Sequence, residues 1–252
     1  EIQDEGRTVV IDHEEMPGYM GAMIMHFRVK NPAEVEGVSP GDEIQFTYQV
    51  AELSSWIEDL KTTGKKVEVN SPAPKSTSSS KLLKVGDPLP DFELLDEQGK
   101  PIQLSDYRGS VVALTFVFTR CPVPEYCPTM MRNFHEVDEL LKADSQSPEN
   151  YQLLTVSFDP EFDTPEVLKA YAEPFKQDSS NWDFLSSSSQ ASVKSLGEAV
   201  GLKFGKSKTA IYSHNLRTVV LDESGKITKI FTDETWKPEE LVREIKSAAD
   251  DS

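Results

Sequence analysis

Along the first part of the chain, apolar and polar positions alternate with a period of two. "RTVVIDH" (7–13), "AMIMHFRV" (22–29), "DEIQFTYQV" (42–50) and "SSWIEDL" (54–60) carry this pattern, with "SPGDE" (39–43) as a turn. Side chains on a strand point alternately to opposite faces, so the pattern predicts a small β domain. Farther along, the pattern changes to apolar blocks alternating with helical periods. "VVALTFVF" (111–118) and "YQLLTVSF" (151–158) predict strands buried on both faces. "PTMMRNFHEVDELLKAD" (128–144) predicts a helix whose inner face holds Met131, Phe134, Val137 or Asp138, and Leu141. "TPEVLKAYAEPF" (164–175) predicts a helix capped by Thr164 with Pro165 at its first position. "QASVKSLGEAV" (190–200) and "KPEELVREIKSAAD" (237–250) add two more helices. "DFELLDEQGKPIQLSDY" (91–107) and "LRTVVLDESGKITKIFTD" (216–233) predict hairpins. Strand, helix, strand, helix, an antiparallel pair and a final helix describe an α/β layered domain with a mixed sheet.

One composition break separates the two patterns. "GKKVEVNSPAPKSTSSSK" (64–81) is rich in Ser, Pro and Lys and nearly free of apolar residues after Val69. Such a segment predicts a flexible linker. The expected organisation is a β domain at 1–63, a linker at 64–82 and an α/β domain at 83–252.

Charge narrows the partners. The 252 residues carry a net charge of −17, which disfavours nucleic acid and anionic membrane surfaces. No apolar stretch reaches the ~18 residues of a membrane span. The sequence opens on "EIQDEGR" without a Met. It therefore reads as a processed form or a fragment, whose membrane association would run only through a missing N-terminal anchor.

The only two cysteines, Cys121 and Cys127, lie in "TFVFTRCPVPEYCPTMM" (115–131), between a buried strand and a helix. Ligand sites gather at that edge of an α/β sheet. With Pro128 at the first helical position, Cys127 is the expected N-cap, where the helix dipole would favour its thiolate. Thiolate is both the nucleophile and the soft-metal ligand. A plain structural disulfide and a pair of inert buried thiols are the competing readings. Taken alone, His214 reads as a surface or core histidine and His135 as helix surface. Asp159 and Asp163 in "DPEFDTP" read as turn formers that cap the next helix, with Asp159 beside a metal site as the alternative.

The β domain holds a second soft cluster. Met16, Met20, Met23 and Met25 crowd into "DHEEMPGYMGAMIMHF" (12–27). Met23 and Met25 share a strand face, and His13 lies on a neighbouring strand. Thioethers with an imidazole select Cu(I) or Ag(I), although methionines also simply fill cores. His26 alternates to the opposite face and reads as an exposed bystander.

Two resemblances follow from these motifs. Residues 85–248 resemble the SCO/SenC family of thioredoxin-fold copper chaperones. The resemblance rests on "F-T-R-C-P…C-P-x-M" (118–130), "V-S-F-D-P-E-x-D-T-P" (156–165) and a His just ahead of "L-R-T-V-V-L-D-E-S-G-K-I" (216–227). It implies a Cys2His copper site of Cys121, Cys127 and His214, holding Cu(I) or Cu(II). The family's usual C-x-x-x-C is here C-P-V-P-E-Y-C, a longer loop stiffened by two prolines and unlike thioredoxin's C-x-x-C. Residues 1–62 resemble the CusF family, a small OB-like barrel. That resemblance implies Cu(I) or Ag(I) binding through His13, Met23 and Met25. Met20 stands where the family's capping Trp would be, and most of the family's first strand lies outside this sequence.

Together these resemblances imply a periplasmic or otherwise extracytoplasmic copper chaperone. It would take copper from a donor protein to the copper-acceptor subunit of a respiratory cytochrome oxidase, at the binuclear copper centre. Such a protein is a metallochaperone rather than an enzyme. The alternatives are a thiol-disulfide oxidoreductase working through Cys121 and Cys127 on that centre's cysteines, and a copper-buffering resistance protein.

Overall fold

The computed structural model describes every residue except 21, 68–81, 177–178, 207–211, 234 and 251–252. Most of the expected linker, residues 68–81, therefore lies outside the described residues. The chain divides into two units. The first is Glu1–Ser79 with the segments Pro122–Glu125 and Gly205–Ser213, and the second is Ser80–Cys121, Tyr126–Phe204 and His214–Ser252.

The first unit is built on antiparallel strands. β1 (Ile2–Gln3), β2 (Thr8–His13) and β3 (Met23–Arg28) form one sheet in that order. β4 (Asp42–Val50) and β5 (Ser55–Lys66) form a second. β5 runs to Lys66, past the end of the alternating pattern that predicts it. Val9, Ile11 and His13 of β2 and Met25 and Phe27 of β3 are buried, whereas Asp12, Ile24 and His26 are exposed. The period-two reading thus sorts this hairpin into a core face and a solvent face. Within this unit the buried Glu125 carboxylate accepts hydrogen bonds from the Ser55 backbone N–H and from its hydroxyl, the latter at 2.9 Å.

The second unit opens with a short hairpin, β6 (Glu93–Leu95) and β7 (Pro101–Gln103). Gly99 turns it with a φ of 79°, a conformation that an L side chain rarely adopts. The main sheet comprises β8 (Val111–Val117), β9 (Tyr151–Ser157), β10 (Trp182–Leu185), β13 (Thr218–Leu221) and β14 (Ile227–Phe231). Its order is β10-β9-β8-β13-β14. β10, β9 and β8 are parallel, and β13 is antiparallel to both β8 and β14, so the sheet is mixed as expected. Every residue of β8 is buried, which explains its unbroken apolar run. Helices α1 (Cys127–Ala143) and α2 (Pro165–Lys176) make the parallel crossovers. α3 (Gln190–Ala199) and α4 (Pro238–Asp250) complete the helices. Strand β12 (Tyr212–His214), paired with β11 (Phe204–Lys206), ends on His214.

The alternation did not reveal β10. Its four residues, Trp-Asp-Phe-Leu, are too few to establish a period, and parallel pairing with β9 makes them a strand. Cys127 is also not the N-cap of α1: that position belongs to Tyr126, and Cys127 is the first helical residue. His135 is not a free surface residue. It is half-buried, and its Nδ1 bonds the Phe175 carbonyl at 3.2 Å.

Candidate metal centre

The chain leaves central strand β8, turns, and re-enters helix α1. In that turn the Cys121 N–H donates to the Phe118 carbonyl at 3.2 Å. Cys121 is half-buried, Cys127 is fully buried, and both are free thiols. His214 arrives at the end of β12. The two sulfurs and an imidazole nitrogen lie within 4.8 Å of one another. Cys127 Sγ stands 3.9 Å from His214 Nε2. Three ligands around one metal at about 2.0–2.3 Å, as for zinc with nitrogen and sulfur, would be roughly 3.5–4 Å apart in a trigonal plane. A soft ion therefore fits with only a small closure of the cluster.

His214 is oriented by the main chain. Its Nδ1 lies 2.9 Å from the Asn215 carbonyl oxygen, which can only accept, so Nδ1 carries the proton. Nε2 is left to face the sulfurs, the arrangement of a metal-binding imidazole. Aromatic rings enclose it. Phe158 lies 4.9 Å away, Tyr126 5.5 Å and Phe118 5.7 Å, centroid to centroid.

The thiols are driven apart in acidity. Burial pushes Cys121 up, but hydrogen bonds from Cys127 and His214 outweigh it and hold the thiol well below its ordinary value. Burial raises Cys127 well above its ordinary value, and its hydrogen bond to Cys121 and the charge there raise it further, with a smaller push from Asp163. The more acidic thiol is thus Cys121, not the helix-terminal Cys127 as the dipole argument predicts. Complete burial and a neighbouring anion overcome a helix end whose dipole is worth at most ~2 kcal/mol.

Asp159 and Asp163 do not cap α2. Thr164 takes that place, its carbonyl accepting from Leu168 N–H at 2.9 Å. Asp159 pairs with Arg120 at 2.5 Å, and Asp163 turns back toward the strand ends. Burial raises the Asp163 carboxyl above its ordinary value, against the opposing effect of donors on Ser157 and Thr119.

In the first unit, His13 stands opposite Met23 in the β2–β3 register, and Ile11 stands opposite Met25. Met25 and Met20 are buried. Met20 is joined to Met16 by reciprocal backbone hydrogen bonds of 2.8 and 3.1 Å. His13 is 5% exposed. Its Nδ1 donates to the Glu14 carbonyl at 2.6 Å, and its buried Nε2 has no partner among the described residues. A buried nitrogen without a hydrogen bond carries a desolvation penalty that a ligand would remove. The Phe27 ring meets His13 edge-on at 5.4 Å.

A mixed five-stranded sheet, with one cysteine just past its central strand, a second opening the helix that follows and a histidine brought in at the end of β12, defines a thioredoxin-like domain with a soft-ligand cluster. The family model for SCO1/SenC matches residues 83–250, and the chain belongs to that family. The family model for copper binding periplasmic protein CusF matches residues 1–62. A SCO1 protein homolog of Bacillus subtilis is 27% identical over 164 residues, which is 63% of this chain and 81% of that protein. A SCO2-like protein of Rickettsia prowazekii is 34% identical over 93 residues, 37% of this chain, and the match spans only 42% of that relative. Among solved structures, a SCO1/SenC family lipoprotein from Bacillus anthracis is 26% identical with a TM-score of 0.59, over 67% of this chain and 99% of that one. The copper-bound ScoI of Arabidopsis thaliana shares the fold, with a TM-score of 0.57 at 19% identity over 67% of this chain and all of its own. Among the described residues, no helix is long and apolar enough to cross a membrane.

The motifs pointed to Cys121, Cys127 and His214. They did not point to the rings of Phe118, Tyr126 and Phe158 or to the Asn215 carbonyl. A carbonyl leaves no trace in side-chain identity, and the rings read as ordinary core.

Proposed function

We propose that this protein is an extracytoplasmic copper chaperone with two copper sites. Cys121, Cys127 and His214 hold Cu(I) or Cu(II). His13, Met23 and Met25, with Met20 as an additional thioether, hold Cu(I) or Ag(I). The observation that carries the reading is the convergence of two sulfurs and an imidazole nitrogen within 4.8 Å, with three aromatic rings packed against that imidazole. Thiolates and imidazole favour copper over hard cations. The unpartnered Nε2 of His13 supports the second site. The organisation we propose is an N-terminal β domain of OB-like barrel type that ends with β5 at Lys66, a linker after it, shorter at its start than the sequence pattern predicts, and the SCO domain at 83–252.

Family membership supports a role in supplying copper to the binuclear centre of a respiratory cytochrome oxidase. A donor protein would load the sites, the oxidase's copper-acceptor subunit would receive the ion, and the periplasm is the compartment. In this role copper is cargo. Cys121 supplies the more acidic thiol, Cys127 gives up its proton as the ion enters, and His214 Nε2 completes the set.

The thiol pair also favours a second reading. A more acidic thiol beside a protonated one is poised for disulfide exchange with the cysteines of that same centre. Anaerobic Cu(I) titration of the reduced protein against a chromogenic chelator separates the two. A chaperone loses copper in both Cys121→Ser/Cys127→Ser and His214→Ala, whereas an oxidoreductase keeps its thiol exchange in His214→Ala. Uptake by the double cysteine variant equal to that of wild type would remove the first site from the proposal.

A further inference from the structure

Asp163 is fully buried and engaged on every polar group. Its carboxylate accepts from the Thr119 backbone N–H at 3.1 Å, from the Thr119 hydroxyl and from the Ser157 hydroxyl. Its carbonyl accepts from the Ser186 hydroxyl at 2.8 Å, and its own N–H donates to the Asp159 carbonyl at 2.8 Å. Thr119 lies just past β8, Ser157 ends β9, and Ser186 follows β10. One residue thus ties together the C-terminal ends of three adjacent parallel strands.

What these bonds hold is the approach to Cys121. Thr119 is gripped at both its backbone and its hydroxyl. Arg120, the next residue, is paired with Asp159 at 2.5 Å, and its guanidinium lies 3.8 Å over the Phe162 ring. Cys121 follows at once. The same strand ends carry Phe118 and Phe158, the rings against His214. A helix cap or a turn former would need none of the bonds to Thr119 or Ser157. Ligands must be held to within about half an ångström for a site to be preorganised, and that rigidity comes from the hydrogen bonds behind them.

We propose that Asp163 is the positioning residue of the Cys121/Cys127/His214 site, fixing the strand end from which Cys121 reaches Cys127 and His214. This rests on the copper reading above only for its metal readout, because convergence of the thiols can be measured without metal.

The test uses the full reduced chain carrying Asp163→Asn, Asp163→Ala, Thr119→Val or Ser186→Ala. Phenylarsine oxide, which bridges two adjacent thiols, reports convergence, and monothiol alkylation controls for access. Cu(I) affinity and X-ray absorption report the ligand set. Asp163→Ala should weaken arsenical bridging and Cu(I) binding by about 10–100-fold, the range for losing a residue that supports a ligand. It should also lower the sulfur and nitrogen count at copper. Asp163→Asn keeps an acceptor for the Thr119 N–H and should recover most of the loss. Thr119→Val should fall between them. Ser186→Ala loses a bond to the Asp163 carbonyl but leaves the carboxylate's grip, so it should lower thermal stability without altering either readout. If Asp163→Ala does not fold, Asp163→Asn and Thr119→Val carry the comparison. Unchanged bridging in every folded Asp163 and Thr119 variant overturns the proposal, as does an equal loss in Ser186→Ala. If wild type takes up no Cu(I), the copper reading falls, and the arsenical result still decides the role of Asp163.

Discussion

His214 donates its Nδ1–H to the main-chain oxygen of its neighbour Asn215 at 2.9 Å. His13 makes the same bond to Glu14 at 2.6 Å. In both cases a carbonyl one residue on fixes the tautomer and leaves Nε2 for a ligand. Both carbonyls belong to backbone adjoining a strand end, so no side-chain substitution at residue 14 or 215 removes them. For His214 the consequence is direct. His214→Ala should lower Cu(I) affinity by more than the roughly 10–100-fold that follows loss of a supporting group. It should also shift or abolish the thiolate-to-copper charge-transfer band of the Cu(II) form. An unchanged absorption spectrum would take His214 out of the site.

The unequal thiols predict a pH dependence. Cys121, held well below its ordinary value by its hydrogen bonds from Cys127 and His214, contributes the smaller share of the proton release when metal binds. Cys127, raised above its ordinary value, keeps its proton at neutral pH and must lose it. Proton loss favours binding as pH rises, so Cu(I) affinity should climb by about tenfold per pH unit for each proton displaced, until the medium passes the Cys127 value. Competition titrations from pH 6 to 8 would measure the slope. A flat profile would show that neither thiol gives up a proton, and Cys127→Ser should remove the part of the slope its thiol supplies.

The Trp182 indole N–H donates to the Thr155 hydroxyl at 3.0 Å, with both residues fully buried. Thr155→Val preserves shape but leaves that N–H without its acceptor, which costs about 1–3 kcal/mol. The urea midpoint of the SCO domain, followed by tryptophan fluorescence, should fall by on the order of 1 M. No change would mean that the indole finds another partner. This pair also marks a limit of the sequence reading. Strand β9 announces itself as an apolar run, but its partner β10 is a four-residue edge strand whose pairing is set at a distance along the chain. Helix α1 was legible because Met131, Phe134, Val137 and Leu141 repeat at the helical period, and all four are buried. The ligand set was legible because thiols, thioethers and imidazole are rare and chemically specific. What was not legible depends on three-dimensional context. The turn motif containing Asp163 gives no sign that its carboxylate reaches back to β8 and β9, and the dipole at Cys127 gives no sign that burial will reverse its effect.

Two soft sites predict a stoichiometry. Reduced protein should bind about two Cu(I), and removing both cysteines or removing His13 should each leave about one. His13→Ala should do so without disturbing the thiolate band. His13 is 5% exposed, so its replacement also opens a small cavity, and a thermal-unfolding control belongs beside the copper count. Equal copper in wild type and His13→Ala would exclude the methionine site.

The order of filling follows from ligand chemistry. At the Cys121 site both sulfurs can bind as thiolates, Cys121 the more readily because its acidity is raised and Cys127 once its proton leaves. At the His13 site the sulfurs are neutral thioethers. An anionic sulfur adds full electrostatic attraction for Cu(I) to its softness, and a thioether offers softness alone. The proton held by Cys127 opposes binding, but that penalty shrinks about tenfold per pH unit as the medium rises toward the Cys127 value. Near and above neutral pH, the first half-equivalent of Cu(I) should therefore settle on Cys121, Cys127 and His214. Methyl-labelled methionine spectra would follow the other site independently. The methyl signals of Met23 and Met25 should stay put until the first equivalent is taken up and move only during the second. Movement of those methyls during the first half-equivalent, with the Cys121 and Cys127 signals unchanged, would reverse the order.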